Sequence, residues 1–160
     1  MIFLQILICL AALYVFLMHP RIRRADSSPF LGTFFFYRLL HDNNRQIPEN
    51  SLAAFQRAVD AGYGIELDVQ LSADRIPVVF HDATLSRMCG IDRRVNELTF
   101  AELRQLSLVN TKEQIPSFQE ALALVNGKVP LLVELKMERL DFDIPREADA
   151  LLSEYSGDYC

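Results

Sequence analysis

Ile65-Glu66-Leu67-Asp68-Val69, within the run from Gly64 to Leu71, is the stretch on which the fold turns. Its apolar members are aliphatic or β-branched and alternate with carboxylates, which is the pattern of a β-strand. Side chains alternate across a strand, so Glu66 and Asp68 share one face and Ile65, Leu67 and Val69 the other. Two carboxylates in so apolar a run cost several kcal/mol each unless they are paired or hold a cation. An edge strand with one solvated face is the simpler alternative. The neighbouring segments weigh against it. Ile76-Pro77-Val78-Val79-Phe80 ends in His81-Asp82, and Leu131-Leu132-Val133 ends in Glu134-Leu135-Lys136. Three apolar strands thus each finish on ionisable groups, and in open α/β sheets and barrels the chemistry lies at the carboxyl ends of the strands.

Working outward, Thr33 to Arg38 is aromatic and β-prone, a candidate first strand. Asn50 or Ser51 caps a helix that runs to Gly62, with Leu52, Phe55, Ala58 and Val59 on one face. Ala73-Asp74-Arg75 separates the two central apolar runs, and a charged loop extends from Asp82 to Glu97. Thr99 with Glu102, and Ser117 with Glu120, are capping boxes that open two further helices. A strand over 129–135 and a helix over 145–155 complete the series. The order predicts an α/β architecture, a parallel sheet or part of a barrel.

The chain has 160 residues, 51% hydrophobic and 23% charged, with six glycines and seven prolines, which excludes a disordered tail or a collagen. A net charge of -5 argues against a nucleic-acid partner, since phosphates call for a basic patch. The mean hydropathy of +0.13 is high for a soluble enzyme, and the cause is the run from Ile2 to Met18, broken only by Gln5. It has no basic segment before it and no small-residue cleavage site after it, unlike a secretory signal. It also lacks the polar face of a helix packed at a domain surface. The expectation is therefore a transmembrane anchor over 1–20, a linker over 21–32 and a domain over 33–160. Arg21, Arg23 and Arg24 would place that domain on the cytoplasmic side. Cys9 lies in the apolar run, while Cys89 and Cys160 are isolated and have no metal-ligand spacing; a pairing between the two stays open.

If the strands are parallel neighbours, Glu66, Asp68, His81, Glu134 and Lys136 converge. Three carboxylates suit a hard divalent cation such as Mg²⁺ or Ca²⁺. A neutral imidazole beside them can act as general acid or base, and a lysine can neutralise an anionic oxygen, a combination suited to phosphate-ester hydrolysis. The same residues carry a resemblance. Ile47-Pro48-Glu49-Asn50-Ser51-Leu52-Ala53-Ala54-Phe55, Ile65 to Val69, Pro77-Val78-Val79-Phe80-His81-Asp82, Ile115-Pro116 and Val133-Glu134-Leu135-Lys136 resemble, in order and spacing, the glycerophosphodiester phosphodiesterase family over about residues 37 to 160. The resemblance implies a TIM-type (β/α)₈ barrel that hydrolyses small glycerophosphodiesters to glycerol 3-phosphate and an alcohol in lipid metabolism, with a divalent metal. It places Glu66, Asp68 and Glu134 at metal-ligand positions, His81 at one of two catalytic histidines, and Arg38 and Lys136 at substrate positions. Glu49 matches a further acidic site position, or simply favours the dipole of the helix that follows.

Two departures stand out. The family opens its domain with His-Arg-Gly, where this chain has Tyr37-Arg38-Leu39. Tyrosine, with an ordinary pKa of about 10, is a poor proton shuttle near neutrality. Leu39 sets a branched side chain where glycine lets the backbone approach the site. His41, in the following loop, is an imperfect substitute. The second departure is length: a full barrel takes about 250 residues, and only about four strands can be counted. The expectation is a partial barrel behind a membrane helix, either a fragment or a half that closes on another half. Its function is then diester hydrolysis, impaired or incomplete, or alternatively that of an inactive membrane-anchored remnant that binds a metal or a lipid headgroup.

Overall fold

Strand β2 (Gly64–Leu71) is the axis of the sheet, and all eight of its residues are buried. The computed structural model describes residues 2–18, 27–36, 47–137 and 143–160 of the chain. One edge of β2 carries β1 (Phe35–Phe36) and β3 (Pro77–Val79), and the other carries β4 (Leu131–Leu135). β1 runs parallel, with Phe35 opposite Gly64. A Cβ on Gly64 would lie 2.6 Å from the Phe35 ring, so glycine permits this close approach. β4 is also parallel, in register from Ile65↔Leu131 to Val69↔Leu135, which pairs Asp68 with Glu134.

One face of β2 is covered by helices. α2 (Leu52–Ala61) is capped by Ser51, whose hydroxyl accepts from the Ala54 amide, and stops at Gly62 with φ 71°. α5 (Phe118–Val125) opens with the Ser117/Glu120 capping box and ends on Asn126 in the left-handed region. Phe55, Ala58, Phe118 and Leu122 pack on Ile65, Leu67, Val69 and Leu131 in one apolar cluster. Ala148 of α6 (Asp143–Leu152) joins the same cluster. A second cluster forms beyond the sheet around Val78, Phe80, Leu85, Met88, Leu103 and Ile115, between β3, α3 (Ser86–Cys89) and α4 (Phe100–Leu103). Each fully buried Leu or Phe contributes about 1.5–3 kcal/mol, so both clusters hold their parts of the chain.

Two expectations are corrected. The first is the parallel sheet of a partial barrel. β3 pairs antiparallel with β2, from Val69↔Val79 to Leu71↔Pro77, and the sheet is four-stranded and mixed. The cause is the turn: parallel strands need a crossover of about a dozen residues or more, and the segment from Ser72 to Ile76 allows only a hairpin. That hairpin is closed by the Ser72 amide donating to the Ile76 carbonyl at 3.1 Å, with Arg75 at φ 65°.

The second is the transmembrane helix. α1 (Ile2–Met18) does form, with 17 residues, and its side chains from Leu4 to Phe16 are exposed. At about 1.5 Å per residue it reaches about 25 Å, short of a hydrocarbon core of about 30 Å. Among the described residues no helix is long and apolar enough to cross a membrane. The single-pass anchor is thereby overturned, and the cytoplasmic placement and membrane partner inferred from it fall too. Arg21, Arg23 and Arg24 lie outside the described residues. The three cysteines are free, Cys9 and Cys160 exposed and Cys89 half-buried.

Candidate active site

The parallel register of β2 and β4 sets Glu66, Asp68 and Glu134 on one face, away from the helices. One carboxylate oxygen from each lies within 4.8 Å of the others. Asp68 is 0% exposed and Glu66 7%, whereas Glu134 reaches solvent. Lys136, two residues beyond Glu134, points the same way. Its Nζ donates to Glu134 Oε1 at 2.7 Å and lies 3.0 Å from Asp68 Oδ1. Partial burial works against the Lys136 charge, but its contacts with Glu134 and Asp68 outweigh that and raise its pKa above the usual value. Lys136 in turn holds Glu134 below the ordinary carboxylate range.

Asn50, 2% exposed and at φ 55°, donates from Nδ2 to Asp68 Oδ2 at 3.2 Å. Two buried oxygens beside it, Asn50 Oδ1 and Asp68 Oδ1, have no hydrogen-bond partner among the described residues. The Lys136 ammonium meets Asp68 Oδ1 as a charge without hydrogen-bond geometry. An orphaned buried oxygen such as Asn50 Oδ1 is rare and costly. With the three hard carboxylates beside it, it is a donor set of the kind that could hold Mg²⁺ or Ca²⁺.

His81 arrives from the hairpin, not from a parallel strand. The Phe80 amide donates to the Asp68 carbonyl at 2.9 Å, which sets His81 at the rim of the acidic face. Gln70, the next residue after Glu66 and Asp68 on that face, donates to the carbonyls of Phe80 and Asp82, both at 2.8 Å. His81 Nδ1 lies 2.7 Å from Asp82 Oδ1. Arg87 Nε donates to Asp82 Oδ2 at 2.6 Å and its NH2 group to Asp82 Oδ1 at 3.0 Å. The same NH2 group pairs with Glu49 Oε1. Glu49, 9% exposed, therefore serves as the anchor of an arginine. Hydrogen bonds to Asp82 and then Glu49 raise the Arg87 pKa. Burial pushes the Asp82 carboxyl up, yet Arg87 and His81 together hold it below the ordinary range.

A cavity of about 650 Å³ opens beside Lys136, lined also by Ser72, Arg75, Arg94, Asn96 and Met137. Arg75 is paired there with Asp143.

The structure thus brings together Glu66, Asp68, Glu134 and Lys136, with His81 at their rim. Tyr37, Arg38, Leu39 and His41 lie outside the described residues. Three participants are not among the site residues of the sequence reading: Asn50, there a candidate helix cap, Asp82, there one of the ionisable groups ending a strand, and Arg87. The signal for Arg87 was Glu49, an acid in an apolar setting that needs a cation, though the charged loop after Asp82 holds several arginines to choose from.

Three carboxylates on one face of two parallel strands, with a histidine and a lysine beside them, make an α/β site whose donor types are those that could hold a divalent cation. Residues 43–157 match the model of the glycerophosphoryl diester phosphodiesterase family, and the chain belongs to that family. It is 36% identical over 116 residues to the YhdW protein of Bacillus subtilis, covering 68% of this chain and 48% of that one. It is 36% identical over 102 residues to a glycerophosphodiester phosphodiesterase of Caldanaerobacter subterraneus, covering 59% of this chain and 42% of the relative. Among solved structures it superposes on a phosphodiesterase from Oleispira antarctica, in complex with the product sn-glycerol-3-phosphate, with a TM-score of 0.73 at 30% identity. That match covers 83% of this chain and 57% of the other. The chain spans about half the length of the relatives it matches.

Proposed function

We propose that this chain carries the cation- and phosphate-binding half of a phosphodiesterase that cleaves glycerophosphodiesters into glycerol 3-phosphate and an alcohol. The observation that carries the reading is the trio Glu66, Asp68 and Glu134, with one carboxylate oxygen from each within 4.8 Å of the others. These residues would hold Mg²⁺ or Ca²⁺, which when bound polarises a phosphoryl oxygen. Lys136, now on Glu134 and Asp68, would leave these carboxylates for an anionic phosphate oxygen. Arg38, by its family position, contributes a second positive charge. His81 moves a proton at Nε2. Cleavage forms a bond from a water oxygen to phosphorus and breaks the bond to the alcohol oxygen, which leaves with a proton. The cavity beside Lys136 is where the rest of the diester would lie.

The test is release of glycerol 3-phosphate from glycerophosphocholine by the purified chain, with Mg²⁺, with Ca²⁺ and with EDTA. Turnover that EDTA abolishes is the expected result, and no turnover under any condition overturns it. Calorimetry checks the cation separately: Glu66→Gln and Asp68→Asn should each weaken binding, and unchanged binding in both removes the metal assignment. A second reading has Tyr37 in its favour, since the family carries a catalytic histidine there: the chain binds the cation and turns nothing over. Cation binding without turnover, with activity appearing in Tyr37→His/Leu39→Gly, is its signature.

A further inference from the structure

We propose that Asp82 and Arg87 are positioning residues that hold the His81 ring with its proton on Nδ1, so that Nε2 is the atom offered to the substrate. The proposal rests on the reading of His81 as the proton-transfer group and adds the device that orients it.

An ionised carboxylate only accepts hydrogen bonds, so a 2.7 Å contact from Asp82 Oδ1 to His81 Nδ1 requires the proton to sit on Nδ1. Asp82 stays ionised and keeps its orientation because Arg87 grips it side-on, through Nε to Oδ2 at 2.6 Å and through its NH2 group to Oδ1 at 3.0 Å. The remaining proton of that NH2 group goes to Glu49 Oε1, on the loop that leads into α2. The guanidinium therefore has a fixed plane, set by two carboxylates from separate parts of the chain. Arg87 is 46% exposed, and an ordinary surface pair at such exposure is worth little. Here the fork is bidentate and its second partner is nine-tenths buried, so its value lies in direction more than in stability.

The backbone is fixed independently. Gln70 Nε2 binds the carbonyls of Phe80 and Asp82, one on each side of His81. With the backbone clamped and Nδ1 committed to Asp82, the other nitrogen of the ring is Nε2. In the neutral ring that nitrogen carries the lone pair, ready to take a proton from water or, once protonated, to give it to a departing alkoxide. Lysine could keep the charge of Arg87 but not the two-pronged grip.

The experiment is nitrogen-resolved NMR of the His81 imidazole, in the whole chain and at a pH well above the ordinary imidazole range. The amide spectrum of each variant is taken as the check on folding. The parent should show the proton on Nδ1. Asp82→Asn, whose amide can also donate, and Arg87→Gln should each give the Nε2-protonated ring or a mixture, and Arg87→Lys should restore the parent form in part. A parent ring protonated on Nε2 overturns the proposal. So does a tautomer unchanged in both variants, which would make the cluster a tie between loops and nothing more. Where turnover is measurable, Arg87→Gln should lower kcat about 10- to 100-fold with KM within about twofold. Because the tautomer is read without turnover, a correctly protonated His81 in an inactive chain would refute the phosphodiesterase reading and leave the positioning device standing.

Discussion

Replacing Lys136 with methionine tests the electrostatics of the acidic face most directly. The change keeps the length and apolar stem of the side chain and removes its charge. In the parent, Nζ lies 3.0 Å from Asp68 Oδ1, on a carboxylate that is 0% exposed. At an effective dielectric of about 20 that separation corresponds to a gross attraction of about 5 kcal/mol. Desolvation of the two groups offsets much of it, but removing one partner strands the other, at about 3–5 kcal/mol for a fully buried pair. Lys136 is 24% exposed, so water screens part of the loss, and about 2–4 kcal/mol is expected. The repulsion among Glu66, Asp68 and Glu134 adds to the same side. With a urea m-value of about 2 kcal/mol/M, the unfolding midpoint in EDTA should fall by about 1–2 M. Saturating Mg²⁺ or Ca²⁺ should narrow the gap, because a cation supplies the missing charge and adds about 2.7 kcal/mol at one hundred times its Kd. Equal midpoints for parent and variant in EDTA would refute the reasoning.

Acid should act through Asp82: its folded pKa lies below the ordinary value, so its contribution is present above about pH 4 and lost as pH falls through the folded value. Arg87→Gln should accordingly shift the acid-unfolding midpoint toward neutrality, as followed by circular dichroism. Burial pushes the Cys89 thiol up to about 11, so at pH 7.5 a thiol reagent should label exposed Cys160 well before Cys89, as mapped by peptide mass. Ser117→Ala removes the hydroxyl that accepts from the Glu120 amide at the start of α5, and should cost about 1 kcal/mol in chemical unfolding. Phe55→Ala empties a fully buried position in the main cluster and should cost about 3–5 kcal/mol by the same measurement.

Much of this arrangement could be read from local pattern. The alternation from Ile65 to Val69 placed two carboxylates opposite a core, and the structure has that core under α2 and α5. Ser117 with Glu120, and Gly62, marked helix ends that hold, because capping depends on a few adjacent residues. The direction of β3 is where pattern misleads: a strand ending in His-Asp suggests a parallel neighbour of β2, whereas the short turn before it permits only an antiparallel one. Composition alone suggests a membrane helix, because the apolar character is plain, while the helix falls a few ångströms short in length. Asp82, Arg87 and Asn50 were invisible as a group. Their meeting depends on a hairpin and a short helix folding back toward the loop before α2, and no periodicity announces that.

The two apolar clusters divide the candidate site between them. Glu66, Asp68 and Glu134 stand on strands anchored in the first, whereas His81, Asp82 and Arg87 hang from the hairpin and α3, backed by the second. Cooperative units of a fold can open at different free energies. Hydrogen exchange could therefore release the amides of 77–103 ahead of those in β2 and α5. A molecule in that half-open condition would keep the three carboxylates of the proposed cation site together while having let go of its imidazole. Capture and proton delivery would then be separable by mild denaturant within one small chain.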